Sequence, residues 1–302
     1  MHVGRQSVRV TVVVGLVLAF GAGVGLEAQS GSEPSFKRDL LGNVVPHVRA
    51  AAAIIYDPQT GAVLWEENMH DQRSIASLTK LMTAVTFLAD VPDLSQQVLV
   101  TRTDVRAASV TYLRAGDRIS HGDLLHLALI ASDNAAARVL ARTSEGGTSA
   151  FIARMNAMAT SLGLTNTHYA DPSGLDARNV SSAYDVSQLV AYAASDDRLS
   201  QIMRKETHEA RTTRRVIKIK STNRLLGTDV DVLGGKTGFI RKAGYCLATL
   251  VQIPQGPQLS VVVLGAANSG IRFAEARNLF QWIVARTQGF DGGVDSARQP
   301  VH

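Results

Sequence analysis

Apolar residues recur along the chain with two different spacings. Near residue 50, two β-prone runs flank the turn DPQTG at 57–61, which predicts a hairpin. Apolar positions three and four apart then predict helices, and beyond residue 205 the spacing becomes that of strands. The predicted helices lie at about 75–90, 122–142, 148–162, 183–195 and 271–286, and the predicted strands at 214–220, 244–253 and 259–266.

This order of elements indicates an α+β fold. A strand pair comes first, a helical middle follows, and antiparallel strands and a last helix complete the series. The order predicts an antiparallel sheet flanked by helices, with the helical middle as a second lobe. We expect the chemistry in a cleft between the two.

The first 28 residues have the pattern of a secretory signal peptide. Arg5 and Arg9 precede an apolar run at 11–26, and the small Ala28 offers a cleavage position. The run is short for a spanning helix, so an uncleaved anchor is the weaker alternative. We expect an exported protein, periplasmic or extracellular, without a stable membrane anchor once the signal is cleaved. The rest of the chain is predicted as a linker at 29–47, one main domain at 48–288 and a flexible tail at 289–302.

Composition narrows the function classes only slightly. The net charge is +5, or +4 without residues 1–28, which is compatible with an anionic polymer or membrane surface nearby. The basic run RTTRRVIKIK at 211–220 has no aromatic interleaving, and its second half alternates basic and apolar residues. It predicts a strand with one solvated face rather than nucleic-acid binding. Cys246, the only cysteine, lies in an apolar run and is predicted as a buried core residue.

Three short motifs carry the candidate chemistry. Ser77 and Lys80 lie three apart in SIASLTKLMTA, Ser132 and Asn134 belong to SDN, and Lys236 begins KTG. Each motif alone has an ordinary explanation as a helix start, a helix cap or a turn. Together, in this order, they resemble the signature of penicillin-binding proteins and class A β-lactamases.

The first two motifs suit acyl transfer to a serine. The hydroxyl of Ser77 needs a base to take its proton, and Lys80 lies on the same helical face within reach. Lys80 is the candidate general base if burial and a second cation, Lys236, lower its pKa. Ser132 is the candidate proton shuttle to the leaving amine. Asn134 is the candidate for holding Lys80 and the substrate backbone.

The third motif suits substrate binding. Lys236 and Thr237 offer a positive charge and a hydroxyl to a substrate carboxylate. Gly238 lets the strand edge come close to the substrate. The oxyanion hole is expected at the backbone N–H groups of Ser77 and Phe239. No cofactor and no metal are expected.

The chain resembles the S11 family of D-alanyl-D-alanine carboxypeptidases, which are low-molecular-mass penicillin-binding proteins, from about residue 48 to 288. SIASLTKLMTA matches the family's first motif, and KTGFIRKAGYCLA resembles its third-motif strand pair. The stretch MNAMATSLGLTNTHYADPSGLDARNVSSAYDVSQLV resembles the region that follows the second motif. The resemblance implies a penicillin-binding, β-lactamase-like transpeptidase fold. It also implies a serine DD-peptidase that acts on peptidoglycan stem peptides through an acyl-enzyme on Ser77, with β-lactams as covalent inhibitors.

Within this family the sequence leaves two activities open. We expect a D-Ala-D-Ala carboxypeptidase, with a DD-endopeptidase that cleaves peptidoglycan crosslinks as the close alternative. Many S11 carboxypeptidases have a second, all-β domain and a C-terminal amphipathic membrane helix. Because few residues follow the last predicted helix, we expect neither here, and the chain more closely resembles the short branch of the family that contains DD-endopeptidases. Arg224 in STNRLL is the nearest candidate for an arginine that grips the substrate carboxylate.

Other classes are less favoured. Residues 135–235 contain no E-x-x-L-N segment, which class A β-lactamases use for deacylation. A non-catalytic penicillin-binding sensor could lose a motif, but all three are present here. A metal hydrolase is disfavoured because there is no H-E-x-x-H, and His121 and His126, five apart, are predicted as surface or interface residues.

Overall fold

The structure, a computed structural model, describes residues 35–90 and 92–287. The strands are β1 (Phe36–Arg38), β2 (Val44–Pro46), β3 (Ala52–Tyr56), β4 (Val63–Glu67), β5 (Arg73–Ser74), β6 (Gln97–Leu99), β7 (Arg118–Ser120), β8 (Val180–Ser181), β9 (Thr207–Arg211), β10 (Val216–Lys220), β11 (Asp231–Ile240), β12 (Gly244–Gln252) and β13 (Gln258–Ala266). The helices are α1 (Thr79–Ala89), α2 (Arg102–Val105), α3 (His121–Ile130), α4 (Asn134–Thr143), α5 (Gly147–Ser161), α6 (Ala183–Ser195), α7 (Asp197–Met203) and α8 (Ser269–Thr287).

Five strands form an antiparallel sheet in the order β11-β12-β13-β3-β4. The three central strands are apolar on both faces, and all five residues of β3 are buried. Such continuous apolar runs occur where both faces of a sheet are covered. The long strand β11, which carries the KTG motif, lies at one edge of the sheet.

Helices cover the two faces of the sheet. The last helix, α8, packs on β12 and β13, and its Leu279 joins a core cluster with Val263 and other outward-facing sheet residues. Helix α6 packs on the other face, where it also contacts α1. Helices α1, α3, α4 and α5 pack against one another and form the helical lobe predicted from the sequence. The α+β prediction is confirmed.

Several segments differ from the sequence-based prediction, and helix α7 and strand β11 lie outside the predicted elements. The helix predicted at 122–142 is interrupted, since α3 ends at Ile130 and α4 begins at Asn134, with Ser132 in the left-handed region at φ 60°. Part of the predicted linker forms a hairpin, β1–β2, whose Val44 carbonyl accepts a hydrogen bond from Trp282 of α8. The predicted boundaries of the domain stay a prediction, and the predicted signal peptide and tail lie outside the described residues.

The basic run at 211–220 behaves as its alternation predicts. In β10 the side chains of Ile217 and Ile219 are buried, whereas Lys218 and Lys220 are exposed. Cys246 is fully buried as predicted, and burial raises the pKa of its thiol to about 11. Among the described residues, the helices include none with the length and apolar character needed to span a bilayer.

Candidate active site

Ser77 lies in a single 3-10 turn, Ala76–Leu78, that leads directly into α1. Ala76 has a φ of 49°, an unfavourable left-handed conformation for a residue with a Cβ. Such backbone strain is common where a side chain must be aimed at a functional site. Lys80 follows in the first turn of α1, and its Nζ lies 3.0 Å from Ser77 Oγ. The helical spacing therefore brings the predicted nucleophile and base together.

Lys80 has no exposed surface. Besides Ser77, its ammonium group donates to Asn134 Oδ1 at 2.6 Å and to the carbonyl oxygen of Ser173 at 2.5 Å. Burial lowers the pKa of Lys80 to about 7, while the nearby Asp171 and Asp133 carboxylates act in the opposite direction. A large share of the molecules therefore has a neutral Lys80 at neutral pH, which is the form that can accept a proton.

A loop between α5 and α6 packs against the 3-10 turn and holds Ser77 and Lys80 in place. Gly174 has a φ of 84°, and a Cβ there would lie 2.1 Å from the carbonyl oxygen of Ala76, so only glycine fits. Asn179 donates to Asp171 Oδ1 and to Thr79 Oγ1, and its carbonyl accepts from the N–H of Ile75. These contacts fix the loop against the 3-10 turn and place the Ser173 carbonyl at Lys80.

The second motif occupies the break between α3 and α4. Asp133 caps α4 by accepting from the N–H of Ala136 at 2.9 Å. Burial raises the pKa of Asp133, although the backbone N–H of Tyr112 donates to its second oxygen at 2.6 Å. Asn134 Nδ2 donates to the carbonyl of Ala108, which leaves its Oδ1 to accept from Lys80. The middle residue of SDN is thus structural, and the flanking Ser132 and Asn134 face the cleft.

The third motif contributes a second buried lysine. Lys236 Nζ donates to Ser132 Oγ at 2.8 Å and to the carbonyl oxygen of Thr237 at 2.9 Å. Burial, followed by the neighbouring charges of Lys80 and Arg272, lowers the pKa of Lys236 well below its ordinary value. The helical lobe and the sheet edge are therefore joined at Ser132 by a hydrogen bond between two predicted site residues.

The edge strand β11 passes very close to the nucleophile turn. A Cβ on Gly238 would lie 2.9 Å from the carbonyl oxygen of Ile75 and 3.1 Å from the nitrogen of Ser77. The backbone N–H of Ser77 and the strand segment with Phe239 are thus brought together, as the predicted oxyanion hole requires. The side chain of Phe239 is half exposed and stacks on Tyr245.

The arrangement contains the parts that acyl transfer needs. A serine hydroxyl has a buried amine within hydrogen-bond distance, and a second hydroxyl, Ser132, has its own lysine. Thr237 Oγ1 donates to Thr222 Oγ1 at 2.7 Å, so the hydroxyl of Thr222 also lies beside the KTG motif. The predicted residues Ser77, Lys80, Ser132, Asn134, Lys236, Thr237 and Gly238 all meet in this cleft.

Sequence comparison identifies the family to which this site belongs. Residues 41–268 match the family model of peptidase S11, described as D-alanyl-D-alanine carboxypeptidase. The chain belongs to the peptidase S11 family. It is 35% identical over 239 residues to the D-alanyl-D-alanine endopeptidase of Pseudomonas aeruginosa, covering 78% of this chain and 77% of the relative. It is 36% identical over 251 residues to the D-alanyl-D-alanine carboxypeptidase DacC of Escherichia coli, covering 78% of this chain and 62% of the relative.

The fold of this S11 member is also that of known penicillin-binding enzymes. The crystal structure of the Streptomyces K15 DD-transpeptidase superposes with a TM-score of 0.74 at 26% identity, covering 78% of this chain and 97% of that one. The predicted penicillin-binding, β-lactamase-like transpeptidase fold and the predicted enzyme class, a serine-type D-alanyl-D-alanine peptidase, are confirmed.

Sequence reasoning missed several residues that complete the S11 site. Asp171, Ser173 and Asn179 lie in a segment whose only sequence signal was its resemblance to the family. Thr222 gave no local signal, because its partner Thr237 is 15 residues away in the chain.

A buried arginine was also missed. Arg272, at the start of α8, donates to the carbonyl oxygens of Gly238 and Cys246 and so ties β11 to β12. Burial, together with the charge of Arg224, lowers the pKa of Arg272 to about 10. Arg224, the residue considered for gripping the substrate carboxylate, is itself exposed.

Proposed function

We propose that this protein is a D-Ala-D-Ala carboxypeptidase that hydrolyses peptidoglycan stem peptides through an acyl-enzyme on Ser77. The observation that carries the proposal is the Lys80–Ser77 contact of 3.0 Å in surroundings that lower the pKa of Lys80 to about 7. Membership of the S11 family supports the substrate class. The individual roles of the residues are our proposal.

Acylation begins with proton transfer within the first motif. Neutral Lys80 takes the proton of Ser77 as Oγ attacks the carbonyl carbon of the penultimate D-alanine. As the tetrahedral intermediate forms, the carbonyl oxygen of the substrate becomes negative and accepts hydrogen bonds from the backbone N–H groups of Ser77 and Phe239. Such donors act only as charge develops, and removing one typically costs about 10²–10³ in rate.

The second Ser–Lys pair returns a proton to the leaving group. Ser132 gives its proton to the amine of the departing D-alanine and takes up the proton that Lys80 removed from Ser77, so that Lys80 is neutral again. Lys236, whose Nζ lies 2.8 Å from Ser132 Oγ, keeps its charge and orients that hydroxyl. The acyl-enzyme on Ser77 is then hydrolysed by a water molecule, whose proton Lys80 accepts. Lys80 passes this proton to Ser77 Oγ as the acyl group departs, which restores the serine hydroxyl and the neutral lysine.

A carboxylate at the end of the substrate explains the third motif. Lys236, the hydroxyl of Thr237 and the hydroxyl of Thr222 lie together at the edge of β11. A carboxylate bound there would favour the charged form of Lys236, opposing the effect of burial on its pKa. Hydrogen bonds between charged groups and carboxylates are about twice as strong as neutral ones.

DD-endopeptidase activity is the second candidate. The Pseudomonas aeruginosa relative at 35% identity is named a D-alanyl-D-alanine endopeptidase, and so is a 34% identical relative from Escherichia coli. Both activities need the same acylation residues and differ in how much substrate the cleft admits beyond the scissile bond. The names of these relatives favour this candidate, and the family description favours the first.

Two substrates separate the candidates. The purified protein is incubated with a pentapeptide stem ending in D-Ala-D-Ala and, separately, with a crosslinked muropeptide dimer. Free D-alanine from the first supports the carboxypeptidase, whereas monomers from the second support the endopeptidase. Release of neither product would contradict both.

The nucleophile is tested with fluorescent penicillin. Ser77→Ala should abolish covalent labelling, because the attacking oxygen is gone. Ser161→Ala, which removes an exposed hydroxyl on α5, is the matched control and should label like the unchanged protein. Labelling that survives in Ser77→Ala would show that another residue is acylated. Rapid turnover of penicillin by the unchanged protein would favour a β-lactamase.

Peptidoglycan lies outside the cytoplasmic membrane, so this function requires export. We therefore propose a periplasmic or extracellular location, supported by the signal-peptide pattern at residues 1–28. Cell fractionation followed by penicillin labelling would detect the protein outside the cytoplasm if the proposal holds.

A further inference from the structure

Three ionisable side chains meet on the side of the helical lobe, outside the cleft. Asp123 and His126 are three residues apart on α3 and therefore share one face of that helix. His208 reaches them from β9, which packs against α3. One ligand atom from each of the three residues lies within 4.8 Å of the others, and all three side chains are partly buried.

The hydrogen bonds around the cluster orient its donor atoms. His126 Nδ1 lies 2.8 Å from the carbonyl oxygen of Gly122, so Nδ1 carries the proton and Nε2 carries the lone pair that can bind a metal. A histidine that gives its other N–H to a backbone carbonyl is a common arrangement around bound metals, since the contact fixes the ring and its tautomer. Asp123 is held in turn, because the N–H of Arg211 donates to its Oδ2 at 3.0 Å.

We propose that Asp123, His126 and His208 form a binding site for a divalent first-row metal ion, with Zn²⁺ as the preferred occupant. Two imidazoles and a carboxylate are a ligand set that zinc accepts, with water in the fourth position. A tetrahedral zinc holds neighbouring donor atoms roughly 3.3 Å apart, given metal–ligand distances of about 2.0–2.2 Å. The rings of His126 and His208 are stacked, with centroids 3.8 Å apart and planes 16° apart, so metal binding requires these partly exposed rings to rotate out of the stack as the donor atoms close from 4.8 Å.

Two existing hydrogen bonds must also yield to the metal. His208 Nε2 lies 2.8 Å from Asp123 Oδ1, so a metal at Nε2 displaces that hydrogen bond, and the ring proton moves to Nδ1. Lys205 Nζ donates to His126 Nε2 at 3.2 Å and occupies the lone pair that the metal needs. Lys205 is exposed, so its ammonium can turn into solvent. Lys205 thus competes with the metal for His126 Nε2, and its removal should raise the zinc affinity.

A bound metal would join two parts of the lobe that lead to the cleft. Helix α3 ends two residues before Ser132, and the carbonyl of Ile130 accepts from the N–H of Thr222, which follows β10. Strand β10 pairs with β9, where His208 stands opposite Ile219. The metal would therefore connect α3 to the β9–β10 hairpin. This inference does not depend on the proposed peptidase activity, because no site ligand belongs to the catalytic residues.

Zinc titration tests the site directly. The full chain is purified without a histidine tag, freed of metal with EDTA and titrated with ZnCl₂ by isothermal titration calorimetry. We expect one saturable zinc per chain and a zinc-dependent rise in Tm. His208→Gln and Asp123→Asn should weaken the affinity by at least about tenfold. The matched control is His70→Gln, which removes an exposed histidine elsewhere and should bind zinc like the unchanged protein.

Lys205→Ala tests whether the lysine competes with zinc for the site. Removing the competing ammonium should tighten zinc binding, and this exposed residue can be changed without disturbing the core. Tm values measured in EDTA establish whether each ligand variant is folded. The proposal is overturned if the unchanged protein shows no saturable zinc binding, if folded His208→Gln keeps full affinity, or if Lys205→Ala binds zinc no more tightly.

Discussion

The cleft contains two Ser–Lys pairs of nearly equal length in different surroundings. Lys80 lies 3.0 Å from Ser77, and Lys236 lies 2.8 Å from Ser132. Both lysines are buried, and burial is the largest cause of the low pKa in each case. The neighbouring charges differ, however. Two carboxylates, Asp171 and Asp133, and one cation, Arg138, act on Lys80. The charges that act on Lys236 are those of two cations, Lys80 and Arg272.

This difference separates a base from a binding group. The carboxylates hold the pKa of Lys80 near 7 against burial, which is where a general base works best at neutral pH. The cations around Lys236 oppose its charge, so the addition of an anionic substrate would have its largest stabilising effect there. Two Ser–Lys pairs of similar geometry can thus have different functions, because different charged side chains surround the two lysines.

The largest expected effect comes from Lys80→Ala. Loss of a positioned general base typically costs about 10²–10⁴ in rate, so acylation of Ser77 should slow by that factor. The measurement is the rate of labelling by fluorescent penicillin over a range of concentrations. Lys220→Ala, which removes an exposed lysine of β10, is the control. If Lys236→Ala slowed acylation more than Lys80→Ala, the two pairs would have the opposite assignment.

Gly174→Ala should damage the support of the first pair. An alanine there has an unfavourable left-handed backbone and a Cβ 2.1 Å from the carbonyl of Ala76. Strain and overpacking together should lower the free energy of unfolding by about 2–4 kcal/mol. Gly61 has a similar φ of 77° with open space around its Cβ position, so Gly61→Ala isolates the backbone cost, about 1 kcal/mol. If urea unfolding showed the same loss of unfolding free energy in Gly174→Ala and Gly61→Ala, the close contact with Ala76 would make no contribution to the loss.

The two pairs also differ in how far the sequence predicts them. Ser77 and Lys80 are three residues apart, so helical geometry alone brings them together. Ser132 and Lys236 are 104 residues apart, and only the resemblance of the motifs to a known signature connected them. The sheet was predictable because its central strands are continuous apolar runs.

Tertiary contacts account for what the sequence left out. The helix predicted at 122–142 breaks because Asp133 caps α4, although the apolar spacing continues through the break. His121 was predicted as a surface or interface residue but is buried, with its Nε2 3.1 Å from Thr143 Oγ1 and its ring against Phe87. Neither Arg272 nor Thr222 has a local pattern, since their partners lie far away in the chain.

Lys236→Ala should lower kcat/KM for the peptide substrate less than Lys80→Ala does. A hydrogen bond to a charged group contributes about 1.5–3 kcal/mol, so kcat/KM should fall by roughly 10–150-fold. The reason can be tested with a pentapeptide whose terminal carboxylate is amidated. Amidation should reduce kcat/KM for the unchanged protein and have little further effect in Lys236→Ala. An equal loss in both proteins would place the carboxylate at another residue, such as the exposed Arg224.

The smallest effect, and the most specific, is on the pH profile of acylation. Lys80 acts as a base only when neutral, so acylation should be slow below its pKa of about 7, rise through that value and then level off. The rate should fall by up to about tenfold for each pH unit below the midpoint, as the neutral fraction does.

The charge of Arg138 provides a directional test of this profile. Burial is the main cause of the low pKa of Lys80, and Arg138 adds to it. Arg138→Gln should therefore raise that pKa and move the midpoint of the acylation profile to higher pH. Arg204→Gln, which removes an exposed charge at the end of α7, should leave the midpoint in place. A midpoint that does not respond to Arg138→Gln would mean that the titrating base is not Lys80, and the contrast between the two lysines would lose its electrostatic basis.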